Sequence, residues 1–371
     1  MTRKERFLCA VECGVPDRVP MFDFLFQQPM YEALIGRRPR AYNARDAVPC
    51  ALALAHDAVW IPFGRFSGYQ PRQLSEKVYV DEWGTTYQQD DASWPLDSPV
   101  DYPIRSRADL ADYRPPDPTL PGRDAEIRLA REIPNDDIAI CGGLLGPFSC
   151  AWMLMGYERI CYALYDDPAL ITECQRFAVD YGKEAARRSV EAGCHAMWIS
   201  DDYGDSNAAF MSVEMFREYV LPYVTELANY TAGLGVPVLL HSCGCINEYL
   251  DDLAQTGISC IHPLQRTAKM DLRTVKQKYG HSLAIIGNID SSRTLPYGTP
   301  ADVEKEVRAA IEIAAPGGGF VLASDHSLHD GIPIENIIAL RDAGLKYGSY
   351  VSGSRATAIT TARMQTGGAS G

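Results

Sequence analysis

The sequence predicts an α/β fold, a TIM (β/α)8 barrel with a hairpin insertion in its first half. Three observations carry this expectation. Eight short apolar runs are distributed along 371 residues with helical stretches between them, which is the strand count and alternation of such a barrel. The length suits one large barrel. The residues just past the apolar runs are polar or metal-capable: Asp23, Asp201-Asp202, His241 and Cys243, His262, Asn288 and Asp290, and Ser324-Asp325-His326. A barrel carries its chemistry at the carboxyl ends of its strands.

The elements follow in order. Val19 to Phe26 reads as the first strand, closed by Pro29, and Asp57 to Ile61 as the second, after a helical stretch from Asp46 to His56 with Pro49 in its first turn. Lys77 to Gln89 alternates like a hairpin that turns near Trp83-Gly84. Trp94 to Pro121 is rich in proline and reads as a linker. Ile138 to Cys141 is the third strand. Helical stretches run from Ser149 to Asp166 and from Pro168 to Gly193, and Ala196 to Ser200 is the fourth strand. Ser212 caps a helix that ends near Gly233, with Glu214 favourable in its first turn. Val236 to Leu240, Ile258 to Ile261, Leu283 to Ile286 and Gly319 to Ala323 are strands five to eight. Between them lie a short helix from Glu248 to Thr256, stopped by Gly257, a helix from Asp271 to Tyr279, and one opened by Thr299-Pro300 and running to Ala314. Pro333 to Tyr350 is the last helix. A single barrel domain is expected over 1–351, with the insertion at about 77–121. The small, polar stretch 352–371 is expected to be disordered. A doubly wound open sheet is the alternative, weakened because no glycine-rich phosphate fingerprint follows any strand.

Bulk composition excludes several classes. Hydrophobic residues make up 46% and charged residues 22%, the balance of an ordinary globular protein. No apolar run approaches the ~20 residues that span a bilayer, and no signal-peptide core follows Met1; a cytoplasmic protein is expected. The eleven cysteines are scattered singly, as reduced thiols rather than a disulfide framework. A net charge of -13 without a basic run argues against nucleic acid or anionic membrane as partners.

The most informative motif is His241-Ser242-Cys243-Gly244-Cys245, directly after an apolar strand. An imidazole and a thiol at spacing i, i+2 on one strand mouth form half of a zinc site. The ordinary reading is a histidine capping a strand end beside a loop thiol. Cys245 falls at the start of the next helix and reads as a packing thiol, with a ligand role as its alternative. His326 follows the eighth strand and is the candidate third ligand or acid-base group; Asp202 is the other candidate ligand. Asp201 and Asp202, with Tyr203, are candidates for orienting substrate or moving a proton, against the simpler reading of an acidic loop capping a helix. Asn288 reads as a turn residue or a substrate contact. Trp83, at the hairpin tip, reads as a turn residue or a pocket wall.

Several segments together resemble the uroporphyrinogen decarboxylase superfamily over about residues 3 to 348: Arg6-Phe7 with Pro16-Asp17-Arg18-Val19-Pro20, Phe216 to Tyr223, His241-Ser242-Cys243-Gly244, Gly287-Asn288-Ile289-Asp290, and Ile332 to Ile337. True decarboxylases of that superfamily carry an Arg-x-Ala-Gly-Arg-Tyr segment after the first strand and an aspartate just past the second. This chain has Phe26-Gln27-Gln28-Pro29-Met30-Tyr31 and Pro62-Phe63-Gly64 there, so porphyrinogen decarboxylation is disfavoured. The His-x-Cys segment resembles the corrinoid-dependent methyltransferase branch, in which zinc is held by His-x-Cys and a third residue near the end of the last strand. That resemblance implies Zn2+ on His241, Cys243 and, at the matching position, His326; Asp201 and Asp202 are then the candidates for orienting the methyl donor or handling a proton. The same resemblance implies a corrinoid carried by a partner protein and a small methoxy or thiol compound as methyl donor or acceptor; the candidates to line the substrate pocket are then Tyr203, Trp83 and Asn288. The His326 position is often cysteine in that branch, so this site would be less anionic. Asp81-Glu82-Trp83-Gly84 and Asp201-Asp202-Tyr203-Gly204 resemble the subgroup that demethylates methoxy compounds. The resemblance makes a homodimer plausible. The alternatives are a decarboxylase or lyase acting on another cyclic carboxylate, and a non-catalytic barrel that holds a corrinoid or tetrapyrrole.

Overall fold

A computed structural model describes residues 1–65, 67–90 and 94–350; the expected tail at 352–371 lies outside them. Thirteen strands occur among the described residues: β1 (Leu25–Phe26), β2 (Ala58–Pro62), β3 (Arg72–Gln73), β4 (Val78–Val80), β5 (Thr86–Gln88), β6 (Ser98–Asp101), β7 (Ala139–Leu145), β8 (Ala196–Ser200), β9 (Val238–His241), β10 (Cys260–His262), β11 (Ala284–Ile289), β12 (Phe320–Ser324) and β13 (Leu328–His329). Seven form one parallel sheet in the order β12, β11, β10, β9, β8, β7, β2. Nearly all their residues are buried, because a parallel strand has helices outside and the barrel interior inside. That double burial is why they read as continuous apolar runs rather than alternating ones.

The gap between β12 and β2 is closed by the segment 20–23. Phe22 N–H donates to the Leu322 carbonyl (3.1 Å), Leu322 N–H to the Pro20 carbonyl (2.9 Å), and Asp57 N–H to the Met21 carbonyl (2.8 Å). Side-chain carboxylates supply the acceptors that a regular strand would have offered. Asp57 accepts from Met21 N–H at 2.8 Å, and Asp23 accepts from both the amide and the hydroxyl of Ser324 at 2.8 Å. The barrel is therefore complete, with its eighth position held partly by side chains. The first strand is not the continuous run expected at Val19 to Phe26; its end peels off as β1 and pairs with β13.

Four other expectations are corrected. Pro29 opens a helix, Gln28–Ile35, rather than only ending a strand; proline lacks the N–H that the first helical turn leaves unused. The proline-rich stretch contains β6 and the helix Arg107–Asp112, which is capped by Ser106. β6 is an edge strand of the antiparallel sheet β3-β4-β5-β6, a position where Pro99 forfeits no ladder bond that a central strand would require. The stretch from Ser149 is broken at Gly156, and the Ser212 helix is broken at Val220 just before Pro222. Ser212 still accepts from Met215 N–H (3.2 Å). No helix among the described residues is long and apolar enough to cross a membrane.

The N-terminal helix Arg3–Val11 packs against β2, β7, β11 and β12, and Arg3 Nη1 donates to the carbonyl of His56 (2.9 Å), whose side chain is buried. Burial, then the nearby Arg3, pushes the His56 imidazole down to about 3. In an unfolded chain histidine titrates near ~6.5. Below that pH the unfolded chain takes up a proton that the native form refuses. His56 therefore costs nothing above ~6.5 and destabilises progressively as pH falls toward its folded value, by roughly 1.4 kcal/mol per unit. Asp23 and Asp201 act in the opposite sense. Burial raises each to about 7, so their contribution is full below ~3.9 and is lost as pH rises through 7. The measurable quantity is thus a difference between chains. Urea unfolding of His56→Gln and wild type at pH 6.5 and pH 5 should show the gap moving by about 2 kcal/mol in favour of the variant. A gap independent of pH would refute the assignment.

Candidate metal centre and adjoining cavity

β9 ends at His241, which is in register with Ser200 of β8 on one side and His262 of β10 on the other. The chain then turns sharply. Gly244 has φ +77°, and a Cβ there would sit 2.3 Å from the carbonyl carbon of Gly204; a Cβ on Gly204 would sit 2.5 Å from Cys245 N. The loops after β8 and β9 thus cross backbone on backbone, a contact that only two glycines allow. The crossing is pinned by Tyr203 N–H to Ser242 Oγ (3.0 Å) and Cys243 N–H to Asp202 Oδ1 (2.8 Å). It sets the Cys243 thiol beside the His241 ring, with Sγ 3.2 Å from Nε2.

The loop after β12 brings His326 to the same point. His241, Cys243 and His326 each offer a ligand atom, and these atoms lie within 4.8 Å of one another. Tetrahedral zinc with bonds of about 2.0–2.3 Å needs donor atoms roughly 3.3–3.8 Å apart, so small side-chain adjustments bring all three onto one ion. The donor chemistry also fits. Burial lowers the His241 imidazole and pushes His326 down to about 4, so both rings are neutral at physiological pH. Burial, then Asp202, raises the Cys243 thiol well above its ordinary range. A divalent cation bound there would displace the thiol proton and take the sulfur as thiolate.

The other candidates divide. Asp202 stands at the mouth, its Oδ1 3.7 Å from His241 Nε2 and half-exposed. Cys245 is buried, meets Asn247 Nδ2 at 3.5 Å, and lies outside the ligand group. Asp201 is fully enclosed. It accepts from the amides of Ser149 (2.6 Å) and Phe148 (3.3 Å) at the start of the helix Pro147–Met155, and from Tyr203 Oη (2.7 Å). These bonds satisfy amides that the first turn of the helix leaves unused, but burial outweighs them and raises the carboxyl to about 7. Asp201 and Tyr203 thus face into the protein and support the mouth from behind. Asn288 is buried and donates to the Leu264 carbonyl (3.2 Å), tying the end of β11 to the loop after β10.

One residue at the cluster has no assigned role in the sequence reading. His262 Nδ1 lies 2.8 Å from His241 Nδ1. The sequence shows a histidine at a strand end, but no motif spacing links it to His241; only the β9–β10 register does.

Beside the cluster lies a cavity of about 520 Å³, whose walls include Tyr42, Trp60, Trp83, Tyr87 and Trp94. It runs from the antiparallel sheet to Gly143–Leu145 of β7 and Ser200 of β8. Phe24 stands between cluster and cavity, edge-on to His241 (5.6 Å) and to Trp60 (5.4 Å). The Asp81 carboxyl also lines the cavity; burial raises it to about 6 although it accepts from Trp83 and Thr85 amides. Trp83, at the tip of the β4–β5 hairpin, is among the residues that line this cavity.

Similarity to known proteins agrees with this architecture. The chain is 28% identical over 263 residues to a uroporphyrinogen decarboxylase of Alkalilimnicola ehrlichii, covering 67% of this chain and 69% of that one. It is 27% identical over 221 residues to the methylcobamide:CoM methyltransferase MtaA of Methanosarcina barkeri, covering 60% of this chain and 62% of that one, so it spans less than two thirds of that relative. A solved methyltransferase from Methanosarcina mazei shares the fold, with a TM-score of 0.72 at 23% identity over 94% of this chain and 99% of that one. The uroporphyrinogen decarboxylase (URO-D) family model matches residues 96–347, from the antiparallel insertion through the last helix. With that match and the complete barrel, the chain belongs to the uroporphyrinogen decarboxylase family.

Proposed function

We propose that this chain is a zinc-dependent methyltransferase that moves a methyl group between a small methoxy or thiol compound and a corrinoid carried by a separate protein. The observation that carries the reading is the convergence of His241, Cys243 and His326 from two strand ends onto one point at the barrel mouth. Zinc held there with an open position would act as a Lewis acid on a thiol or an ether oxygen. The protein's own part is positioning. The aromatic cavity next to Ser200 would hold the body of the small reactant, with Phe24 as the wall it must pass to reach the ion. Asp202, at the mouth, is placed to orient that reactant or to take a proton from a thiol. Asp201 and Tyr203 fix the loop that carries Asp202. The methyltransferase relatives support the same reading, and they bring with them the expectation of a corrinoid protein docked over the mouth.

Decarboxylase relatives keep a second reaction in view, but the geometry opposes it. Gln27 donates to the carbonyls of His329 and Ile332 (both 2.7 Å) and Gln28 to that of Pro39 (2.6 Å). These side chains tie loops together where the resemblance would require arginines for substrate carboxylates. The discriminating experiment is methyl transfer by zinc-loaded protein, from methylcobalamin to a thiol and from an aryl methyl ether to cob(I)alamin, each with and without a chelator. Turnover abolished by the chelator and restored by zinc is expected. Chelator-insensitive decarboxylation of a porphyrinogen, or tight pigment binding with no turnover of any methyl donor, would replace this reading.

A further inference from the structure

His241 points only one of its two ring nitrogens at the cluster. Nε2 lies 3.2 Å from Cys243 Sγ and 3.7 Å from Asp202 Oδ1. Nδ1 lies 2.8 Å from Nδ1 of His262. Two neutral imidazole nitrogens at that separation share one hydrogen, so one ring donates and the other accepts. If His262 donates, His241 keeps its own hydrogen on Nε2 and has no lone pair there for a cation. If His262 accepts, His241 carries its hydrogen on Nδ1 and Nε2 is free to ligate.

We propose that His262 is a positioning residue for the metal centre: its Nδ1 accepts a hydrogen bond from His241 Nδ1 and so fixes the tautomer and ring orientation that present Nε2 to the ion. The inference rests on the metal-site reading above. His262 is suited to this and to little else. It is 1% exposed, so it does not reach substrate. The rings of Phe22, Phe24 and Trp198 stand edge-on around it, each at 84°, with centroids 6.5, 5.3 and 5.2 Å away. They leave the imidazole little freedom to rotate. Its Cα is set opposite that of His241 by the β9–β10 register. His262 Nε2 is buried with no hydrogen-bond partner among the described residues. In the accepting role His262 carries its hydrogen on that nitrogen, and an unpaired buried donor is unfavourable. In the donating role the same atom would be an unpaired acceptor, so that cost is borne in either tautomer, and the choice rests on His241 Nε2 facing the cluster.

The test compares zinc affinity, by competition with a chromophoric chelator, for wild type, His262→Phe and His262→Gln. Phenylalanine suits the aromatic surroundings but accepts nothing. Outer partners of ligating histidines are typically worth 10- to 100-fold in affinity, so His262→Phe should bind zinc about 10- to 100-fold more weakly while keeping the wild-type melting profile. His262→Gln, whose amide oxygen accepts, should recover most of the loss. ¹⁵N spectra of the zinc-loaded wild type should show His241 protonated at Nδ1 and metal-bound at Nε2, and this readout holds even where a variant fails to fold. Wild-type affinity in a folded His262→Phe, or metal bound through His241 Nδ1, overturns the proposal and leaves the site reading intact. Failure of the wild type itself to bind zinc overturns both.

Discussion

Cys243→Ala is expected to lose zinc under conditions in which the wild type holds it, with affinity reduced by at least about 100-fold, a change of roughly 3 kcal/mol or more. The sulfur is the one ligand of the three that becomes an anion on binding. Without it two neutral imidazoles remain, and neither offsets the dication's charge. Because the buried thiol is protonated in the metal-free protein, zinc binding should expel about one proton in the wild type and about none in Cys243→Ala. Proton release in weakly buffered solution reads this directly. His326→Ala should also weaken binding, since the loop after β12 then contributes no donor. Cys245→Ala is the control. Its thiol faces Asn247 and lies outside the ligand group, so metal content should match the wild type. A Cys243→Ala protein that retains a full equivalent of zinc would remove the proposed centre, and the methyl-transfer reading with it.

The parts of this molecule that were legible in the sequence are those set by local pattern. β8 to β12 announce themselves because each is a short, doubly buried run stopped by polar residues. The same property exposes His241 and Cys243, which sit where such a run ends. His326 was legible for that reason as well. The closing segment 20–23 was legible in place, inside the strand expected over Val19 to Phe26, but not in form: Asp23 and Asp57 replace backbone acceptors there, and no local pattern encodes a carboxylate acting in place of a strand. Asp201 and Asp202 are adjacent and chemically identical, yet one serves a helix N-terminus in the interior and the other stands at the mouth. Their division is decided by where the helix Pro147–Met155 arrives. The role of His262 depends on strand register, and the cavity draws its walls from Tyr42, Trp60, Tyr87 and Trp94, which come together only when the antiparallel sheet folds over the barrel.

The largest stability effect is expected at Asp57, at the opposite end of the strands from the proposed ligands. Asp57 is fully buried and sits at the amino end of β2. Its carboxylate accepts from Arg6 Nη1 (2.8 Å), from Arg18 Nη1 and Nη2 (2.9 and 3.0 Å), and from the Met21 amide (2.8 Å). Arg6 in turn grips Asp17 through Nε (2.5 Å) and Nη2 (2.8 Å), which holds the Asp17 carboxyl well below the usual carboxylate range. The segment Pro16-Asp17-Arg18-Val19-Pro20 is therefore structural: it locks the N-terminal helix and the barrel's closing segment to β2. Asp57→Ala leaves two partly buried guanidinium groups without their shared anion and the Met21 amide without an acceptor. Breaking a buried pair in this way costs about 3–5 kcal/mol, against a total stability of roughly 5–15 kcal/mol for a typical domain. Asp57→Asn keeps an acceptor for Met21 but loses the charge, and should fall between wild type and alanine. Urea unfolding measures the loss, and amide exchange locates it: Phe22 and Leu322, whose bonds close the barrel, should exchange faster in the variant than amides of β8 and β9. A loss below about 1 kcal/mol would mean that Arg6 and Arg18 find solvent or other partners when the anion is removed, and that the barrel is closed by its apolar packing instead. Phe24, one residue beyond the closing segment, lies against His241. Loosening of that segment should therefore also reach the proposed metal centre, as weaker zinc binding by an Asp57→Asn protein that still folds.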